Sequence, residues 1–561
     1  MRSGSTAAAP SQAGLSVRPF LILAGVVVLL LGPFLDKALH IDDPLFVWSA
    51  EWIVRHPFDF YGRIVNWYGH DWPMHATNQN PPATAYLLAV VGSVLGWRET
   101  TLHGVFLLVA FAASAGIFRL AQLWCVRPMS STLLAVLTPA FLLSGTSLMC
   151  DVPLLACWTW TLVAWERALA SRGVARFVLA AALAALAMLT KYTALLLFPV
   201  MLTMGAVRRR RPGWWLAALL VPLASAALFE LGSRKLYGHG LLFSAGEYAS
   251  TNQERFPGGY AVRLVSALTF LGGGMLPAIF LLPFLCSRRL LVLAGLLPLA
   301  ASLLALSSMQ RIGLTELRLA GSVRFGLVAQ ISLFLASGIC LLAFIAVELW
   351  RRRDALSAVL AVWTGSGLLL LFVFNWTVNG RTLLPTVPAI AILCMRRLEL
   401  THPSGLGWKR LAGPMAAALV LDGVIMVADY QLADSARRAA NNIVHRHRTP
   451  GQQIWFEGHW GFQYYMQNLG ALPVDFTRPA LAPSDVLVIP VSAANVALPQ
   501  PGEVELVKLS QMRVFPWLAT MQPGSGACFY AADCGPVPFA FGRIAPESYA
   551  VLRVLRSPSF R

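Results

Sequence analysis

Asp42 and Asp43 stand side by side in IDDP, Asp151 opens DVPLL, Lys191 closes Leu-Thr-Lys, and Arg381 sits before Thr-Leu-Leu-Pro. Each of these groups borders a long apolar stretch. A carboxylate so placed can act as a general base and take the proton of a hydroxyl. Lys and Arg can hold an oxyanion and steady charge that grows on a leaving group. Ionisable groups at a bilayer edge are costly and ask for a reason. Plainer roles compete at every position. An Asp pair after an apolar stretch also suits a solvated loop start, and Asp151 before Val-Pro suits a helix cap. Lys191 could reach a lipid head group with no part in chemistry. Asn80, Pro81 and Pro82 could be only a turn, and Asp422, inside the last apolar stretch, suits packing against another polar group.

The elements that must position these groups are apolar spans. Thirteen stretches come close to the roughly 20 residues that cross about 30 Å of hydrocarbon. They fall near 19–38, 103–123, 132–149, 152–170, 175–190, 193–207, 213–231, 262–285, 289–308, 326–347, 355–376, 381–396 and 411–430. Arg and Lys collect in every second gap. These gaps hold Arg2 and Arg18; Arg127; Arg167, Arg172 and Arg176; Arg208 to Arg211; Arg288 and Arg289; Arg351 to Arg353; and Arg396, Arg397, Lys409 and Arg410. Short basic loops stay cytoplasmic. This places the amino terminus in the cytoplasm and everything after the last span outside, in a multi-pass protein of the cytoplasmic (inner) membrane. The polar start and the lack of a cleavage-type ending make the first span a retained anchor. On this topology Asp42, Asp43, Asp151, Lys191 and Arg381 converge on the outer face. Lys191 breaks the charge rule there.

Composition agrees with a membrane protein. Hydrophobic residues are 57% and charged residues 12% of 561, more apolar surface than a soluble domain could hide. The net charge of +18 lies in the short loops, where anionic lipid is the partner rather than nucleic acid. The expected fold class is therefore a polytopic α-helical membrane protein, residues 1–430, with a first outside loop at 40–101. A small outside α/β domain follows at 431–561. In that tail 453–456 and 485–489 read as strands, with a helix between them closed by Gly470. Further strand-like pieces fall at 503–508 and 527–531. The first loop is rich in tryptophan, as suits short helices in the interface plane. Six of the eight cysteines lie in or beside spans, while Cys528 and Cys534 fall outside, where a disulfide is permitted. No His or Cys cluster has metal-site spacing, and His70, Asp71 and His75 read as solvated loop residues, so no metal or other cofactor is expected.

The ordered motifs resemble those of the integral-membrane glycosyltransferases of the GT-C fold, the family-39-type and aminoarabinose-transferase-like enzymes. An acidic pair after the first span (IDDP, 41–44) is followed by QNPPATAYLLA at 79–89, DVPLL at 151–155, LTKYTALLLFP at 189–199 and GRTLLPTVPAI at 380–390. Two departures stand out: Asn80 replaces the family's frequent Lys or His, and Asp43 its common Glu. The resemblance implies an active site at the outer face, fed by a polyprenyl-phosphate sugar. It implies Asp42 as base, Asp43 orienting that base or the acceptor, and Asp151 supporting the acceptor or positioning a cation. Lys191 and Arg381 would hold the phosphate, and the loop at Asn80, Pro81 and Pro82 would bind substrate. The acceptor could be protein, lipid or polysaccharide, and a single displacement implies inversion. A transporter or lipid-linked-sugar flippase is the alternative, but the acids cluster at one face and no internal repeat is evident.

Overall fold

The computed structural model describes residues 16–171, 173–209, 213, 215–402, 408–491, 496–532 and 534–560. Of the basic-gap residues, Arg2, Arg172, Arg210 and Arg211 lie outside these, as do the side chains of Lys409 and Arg410. Helices dominate, because a helix satisfies its own backbone groups where no water is present to do so. Among the described residues, six helices are long and apolar enough to cross a bilayer: Glu99–Trp124, Trp215–Tyr237, Arg288–Ser308, Phe325–Arg352, Ala355–Phe374 and Leu411–His447. Two bent pairs raise this to eight if each is one span. Pro128–Val136 turns by 66° into Pro139–Gly145, and Gly259–Gly274 turns by 84° into Leu276–Leu285. Both second halves begin with a proline in their first turn, where its missing N–H costs nothing. Shorter helices cover the remaining expected stretches, so the chain is a polytopic helical membrane protein. One pair of helices crosses closely enough to require glycine. A Cβ on Gly272 would lie 2.1 Å from Phe334 O, and one on Gly338 would lie 2.0 Å from Leu268 O. Backbone contact of that kind is the usual grip between helices in lipid.

Ion pairs sort the loops into two ends of the bundle. At one end Asp151 pairs with Lys191, and about 15 residues further along, Glu166 pairs with Arg208. The helix Asp151–Ser171 and the segment from Lys191 to Arg209 therefore run side by side in the same direction. At that second end, Arg352 and Arg397 bind Glu348, Arg396 binds Asp354 at 2.6 Å, and Arg127 N–H donates to Glu399 at 2.7 Å. The gaps read as basic and alternating thus gather together, opposite the candidate site residues.

The first loop holds two 13-residue helices, Asp43–Arg55 and Ala83–Leu95, which pack on each other. The second is apolar, a feature the sequence reading did not assign. In the tail, the helix Trp408–His447 runs straight through residue 430, so the expected division there falls inside it. A five-stranded mixed sheet follows, ordered Val504–Met512, Glu547–Val554, Val486–Pro490, Ile454–Phe456, Leu472–Pro473. Ile454 and Val486 are parallel partners, joined by a crossover through the helix Trp460–Asn468, as parallel strands require. Gly470, at φ 81°, closes that helix as expected. The piece expected at 527–531 keeps only two residues of strand, Ala527–Cys528. Cys528 is buried and Cys534 half-buried in this part of the tail. Asp422 is fully buried, and among the described residues neither carboxylate oxygen accepts a hydrogen bond, so the polar partner expected for it is not found among them.

The tail is fastened to the membrane region beside the expected site. Gly461 is backed against Leu39, whose carbonyl oxygen would stand 2.0 Å from an added Cβ. Leu39 N–H in turn donates to Tyr465 Oη at 2.8 Å. On the other side Gly380 N–H donates to Phe529 O at 2.9 Å, and Ala532 N–H donates to Val378 O at 2.7 Å. A side chain at Gly380 would collide with the Phe529 ring, 2.1 Å away.

Candidate active site

Four of the five ionisable groups singled out in the sequence meet in one cavity of about 400 Å³. Asp42 enters from the turn ahead of the helix Asp43–Arg55, and Asp151 from the first turn of Asp151–Ser171. Lys191 comes from the break after Val174–Thr190, where its extended backbone (φ −156°, ψ 134°) interrupts the helix. Arg381 comes from the short helix Gly380–Leu383, whose start is capped by the Asn379 side chain accepting from Thr382 N–H.

Lys191 Nζ donates to Asp151 Oδ1 at 2.7 Å, and Arg381 reaches Asp151 Oδ2 at 3.7 Å and Asp42 Oδ2 at 3.4 Å. Asp151 thus sits between two cations, 2% exposed, and fixes both. Arg381 also donates to Met149 Sδ and lies 5.8 Å from the ring centre of Tyr530, a cation–π contact. Asp42 keeps about a third of its side-chain surface open to the cavity. Burial pushes its carboxyl above the usual range, and Arg381 pulls it part of the way back. For Lys191, burial is the largest influence and opposes the charge, but Asp151 together with Cys150 and Tyr192 more than offsets it and keeps the ammonium above its ordinary pKa.

Among the described residues, buried polar atoms around this cavity without a hydrogen bond are Asn78 Nδ2, Asn80 Oδ1 and Arg381 Nε, while Asp151 Oδ2 has only its 3.7 Å ion pair with Arg381. Native interiors leave few such atoms unpaired. Their concentration at the lining of one space marks a place shaped to receive a polar ligand.

Asp43 lies outside that cavity. It is fully buried, its Oδ2 accepts from His40 N–H at 3.0 Å and its Oδ1 from Leu148 N–H at 2.8 Å. These two bonds tie the turn carrying Asp42 to the loop before Asp151. Burial also drives Asp43 up, to about 7. Asp43 therefore does not reach the cavity itself, and its bonds hold the backbone that carries Asp42. Asn80 lines the cavity, whereas Pro81 and Pro82 do not; Pro82 instead starts the helix Ala83–Leu95. His70 and His75 are engaged by rings, Trp72 and Tyr237 respectively. Among the described residues no three His, Cys, Asp or Glu side chains are grouped as a metal site.

The sequence reading missed what the tail contributes. His459, Trp460, Met521, Tyr530 and Cys534 line the cavity together with the membrane helices. Behind Tyr530 lies a buried network. Asp429 accepts from Lys37 Nζ at 2.5 Å, Thr520 Oγ1 at 2.6 Å and Tyr530 Oη at 2.9 Å, and Lys37 also donates to Thr146 Oγ1 at 3.1 Å. Lys37 and Asp429 are each 1% exposed. A buried pair of this kind depends on such extra hydrogen bonds to offset desolvation. The one hint in the sequence was Lys37 itself, a cation at the outer end of a span, breaking the same rule as Lys191.

No curated protein matches the chain. Among solved structures, ArnT from Cupriavidus metallidurans bound to undecaprenyl phosphate aligns over 85% of this chain and 94% of that one, at 14% identity and a TM-score of 0.40. The arabinosyltransferase EmbB from Mycobacterium smegmatis aligns over 92% of this chain and 49% of that one, at 14% identity and a TM-score of 0.33. The sequence of residues 79–231, which carries Asn80, Asp151 and Lys191 of the cavity, matches the model of the dolichyl-phosphate-mannose-protein mannosyltransferase family, and over that segment the resemblance read from the motifs is borne out.

Proposed function

We propose that this protein is a glycosyltransferase that moves a sugar from a polyprenyl phosphate to an acceptor hydroxyl or amine at the outer face of the cytoplasmic membrane. The observation that carries the reading is the meeting of Asp42, Asp151, Lys191 and Arg381 in one cavity. An open carboxylate faces two cations there, and the cavity lining also holds Asn78 and Asn80, each with a buried polar atom that makes no hydrogen bond among the described residues. In the reaction, the acceptor oxygen forms a bond to the anomeric carbon as the carbon–phosphate oxygen bond breaks. Asp42 takes the acceptor proton, and Lys191 and Arg381 hold the departing phosphate. Asp151 positions those two cations. One displacement gives inversion. The lipid carries an already activated sugar, and the cations supply the charge stabilisation, so no nucleotide or metal is assigned a step. Protein, lipid and polysaccharide acceptors all fit this chemistry.

Purified protein in lipid nanodiscs tests the reading directly. With polyprenyl-phosphate mannose, galactose or aminoarabinose as donor, free polyprenyl phosphate should accumulate together with a glycosylated acceptor or, slowly, free sugar. Movement of intact lipid-linked sugar across a vesicle membrane with no bond cleavage would show a flippase instead.

The matching orientation has thirteen crossings, the amino terminus in the cytoplasm, and residues after 430 outside. The gathering of basic loops at the end opposite the cavity supports it. Reporter fusions at Arg208 and Ser484 should report cytoplasm and exterior respectively; the opposite result at either position would refute this orientation.

A further inference from the structure

Lys37 does not line the reaction cavity, yet its ammonium touches the supports of three of the four charged groups that do. It stands five positions before Asp42, in the turn that leads there from the first helix. Its Nζ donates to Thr146 Oγ1 at 3.1 Å, at the start of the loop that ends in Asp151. That loop is also pinned to Asp43 at Leu148 and to Arg381 at Met149. The second bond of Nζ, 2.5 Å to Asp429, reaches the tail, because Asp429 accepts from Thr520 Oγ1 and from Tyr530 Oη. The Tyr530 ring in turn lies under Arg381.

Stability alone is a poor reason for this arrangement. Lys37 and Asp429 are both withdrawn from water, and a buried ion pair is often no better for folding than apolar side chains of the same size. What the pair supplies is direction, through hydrogen bonds of defined length to hydroxyls on two other segments. The backbone around Lys37 is held as firmly. Arg437 Nη1 donates to Asp36 O at 3.0 Å, His103 Nε2 stands 3.1 Å from Lys37 O, and Leu39 N–H donates to Tyr465 Oη. Such bracing matters for transfer, since a misplacement of about 1 Å caused far from the chemistry can cost about 100-fold in rate.

We propose that Lys37 is a positioning residue of the transfer reaction, whose ammonium sets the spacing of Asp42, Asp151 and Arg381. It does so by joining the turn before Asp42, the loop before Asp151 and the carboxylate that holds Tyr530 under Arg381. The proposal rests on the transferase reading and adds to it a residue that touches neither substrate nor reacting atoms.

The test uses the full protein in nanodiscs, with whichever of polyprenyl-phosphate mannose, galactose or aminoarabinose the wild type cleaves fastest. Lys37→Met alone leaves Asp429 as an unpaired buried charge and should lower the melting temperature. The paired variant Lys37→Met/Asp429→Asn removes both charges, and its amide still offers partners to Thr520 and Tyr530, so it should melt near the wild type. Its kcat should nevertheless fall at least about tenfold, with KM for the donor changing by less than about threefold. In an Asp42→Asn background the same pair of changes should cost less than about threefold, because the base whose position it sets is already gone. A role confined to folding gives the opposite results. Recovery of kcat along with the melting temperature, or an equal loss in both backgrounds, would overturn the proposal. Thr146→Val keeps the ion pair and removes one bond of Lys37, and should lower kcat by about threefold or more. It decides the matter if the paired variant does not fold, and an unchanged kcat in it would count against Lys37. A wild type that cleaves none of the donors sinks the transferase reading and this proposal together, whereas an active enzyme indifferent to these changes sinks this proposal alone.

Discussion

Asp42→Asn lowers sugar transfer by about 100-fold or more, while the protein still inserts and still binds the lipid donor. The substitution keeps the size of the side chain and its contact distance to Arg381, but removes the basicity. Asp42 is the carboxylate of the cavity that remains partly open. Asp151 is enclosed between Lys191 and Arg381, and both oxygens of Asp43 are taken by backbone N–H groups. A base must be ionised to act, so the rate should rise with pH through the pKa of Asp42. Burial places that pKa above the ordinary carboxylate value, and the rising limb should lie correspondingly higher than an exposed Asp would give. In Asp42→Asn that limb should disappear. Full transfer activity in a well-folded Asp42→Asn protein would remove Asp42 from the mechanism and leave Asp151 as the remaining cavity carboxylate.

The residues nearest the chemistry were legible because each belongs to a short local pattern at the end of an apolar stretch. The charge alternation placed those ends on one face before any contact was known. What could not be read depends on distant parts of the chain. Lys37 and Asp429 are separated by 392 positions, and no local pattern connects them. Tyr530 looked like one more aromatic in a strand-like piece; it reaches Arg381 because Phe529 and Ala532 pair with the backbone around Val378 and Gly380. The strand Glu547–Val554 was missed for a related reason. It is buried at nearly alternate positions but carries Glu, Ser and Arg, so its sequence alone lacks a clear apolar period. That the side chain of Asp43 stands outside the cavity was not legible, because adjacency in sequence says nothing about direction. One residue into a helix, its side chain turns toward Leu148 rather than into the cavity.

Arg381→Ala lowers the rate by about 10- to 1,000-fold and weakens the binding of polyprenyl phosphate; Lys191→Ala falls in the same range. A phosphate diester carries one negative charge that grows as the sugar leaves, so a cation fixed there favours the transition state over the ground state. Of the two, Arg381 should show the larger loss. Lys191 has one carboxylate partner, Asp151, whereas Arg381 contacts Asp151 and Asp42 and rests against Tyr530. Removing it takes away a phosphate ligand and also the charge that draws down the pKa of the proposed base, so the pH profile of the residual activity should move upward. Arg381→Lys should recover little, because an ammonium cannot span two carboxylates as the planar guanidinium does. Tyr530→Phe offers the contrast: it keeps the ring under Arg381, loses the bond to Asp429, and should cost less than Arg381→Ala. If Arg381→Ala retained both the rate and the affinity for undecaprenyl phosphate, the phosphate would have to be held elsewhere. Arg234, Lys235 and Arg324 do not line the cavity, and Arg324 is already spent on the carbonyls of Glu316 and Gly524. Lys191 would then have to carry the leaving group alone, and Lys191→Ala should in that case abolish transfer.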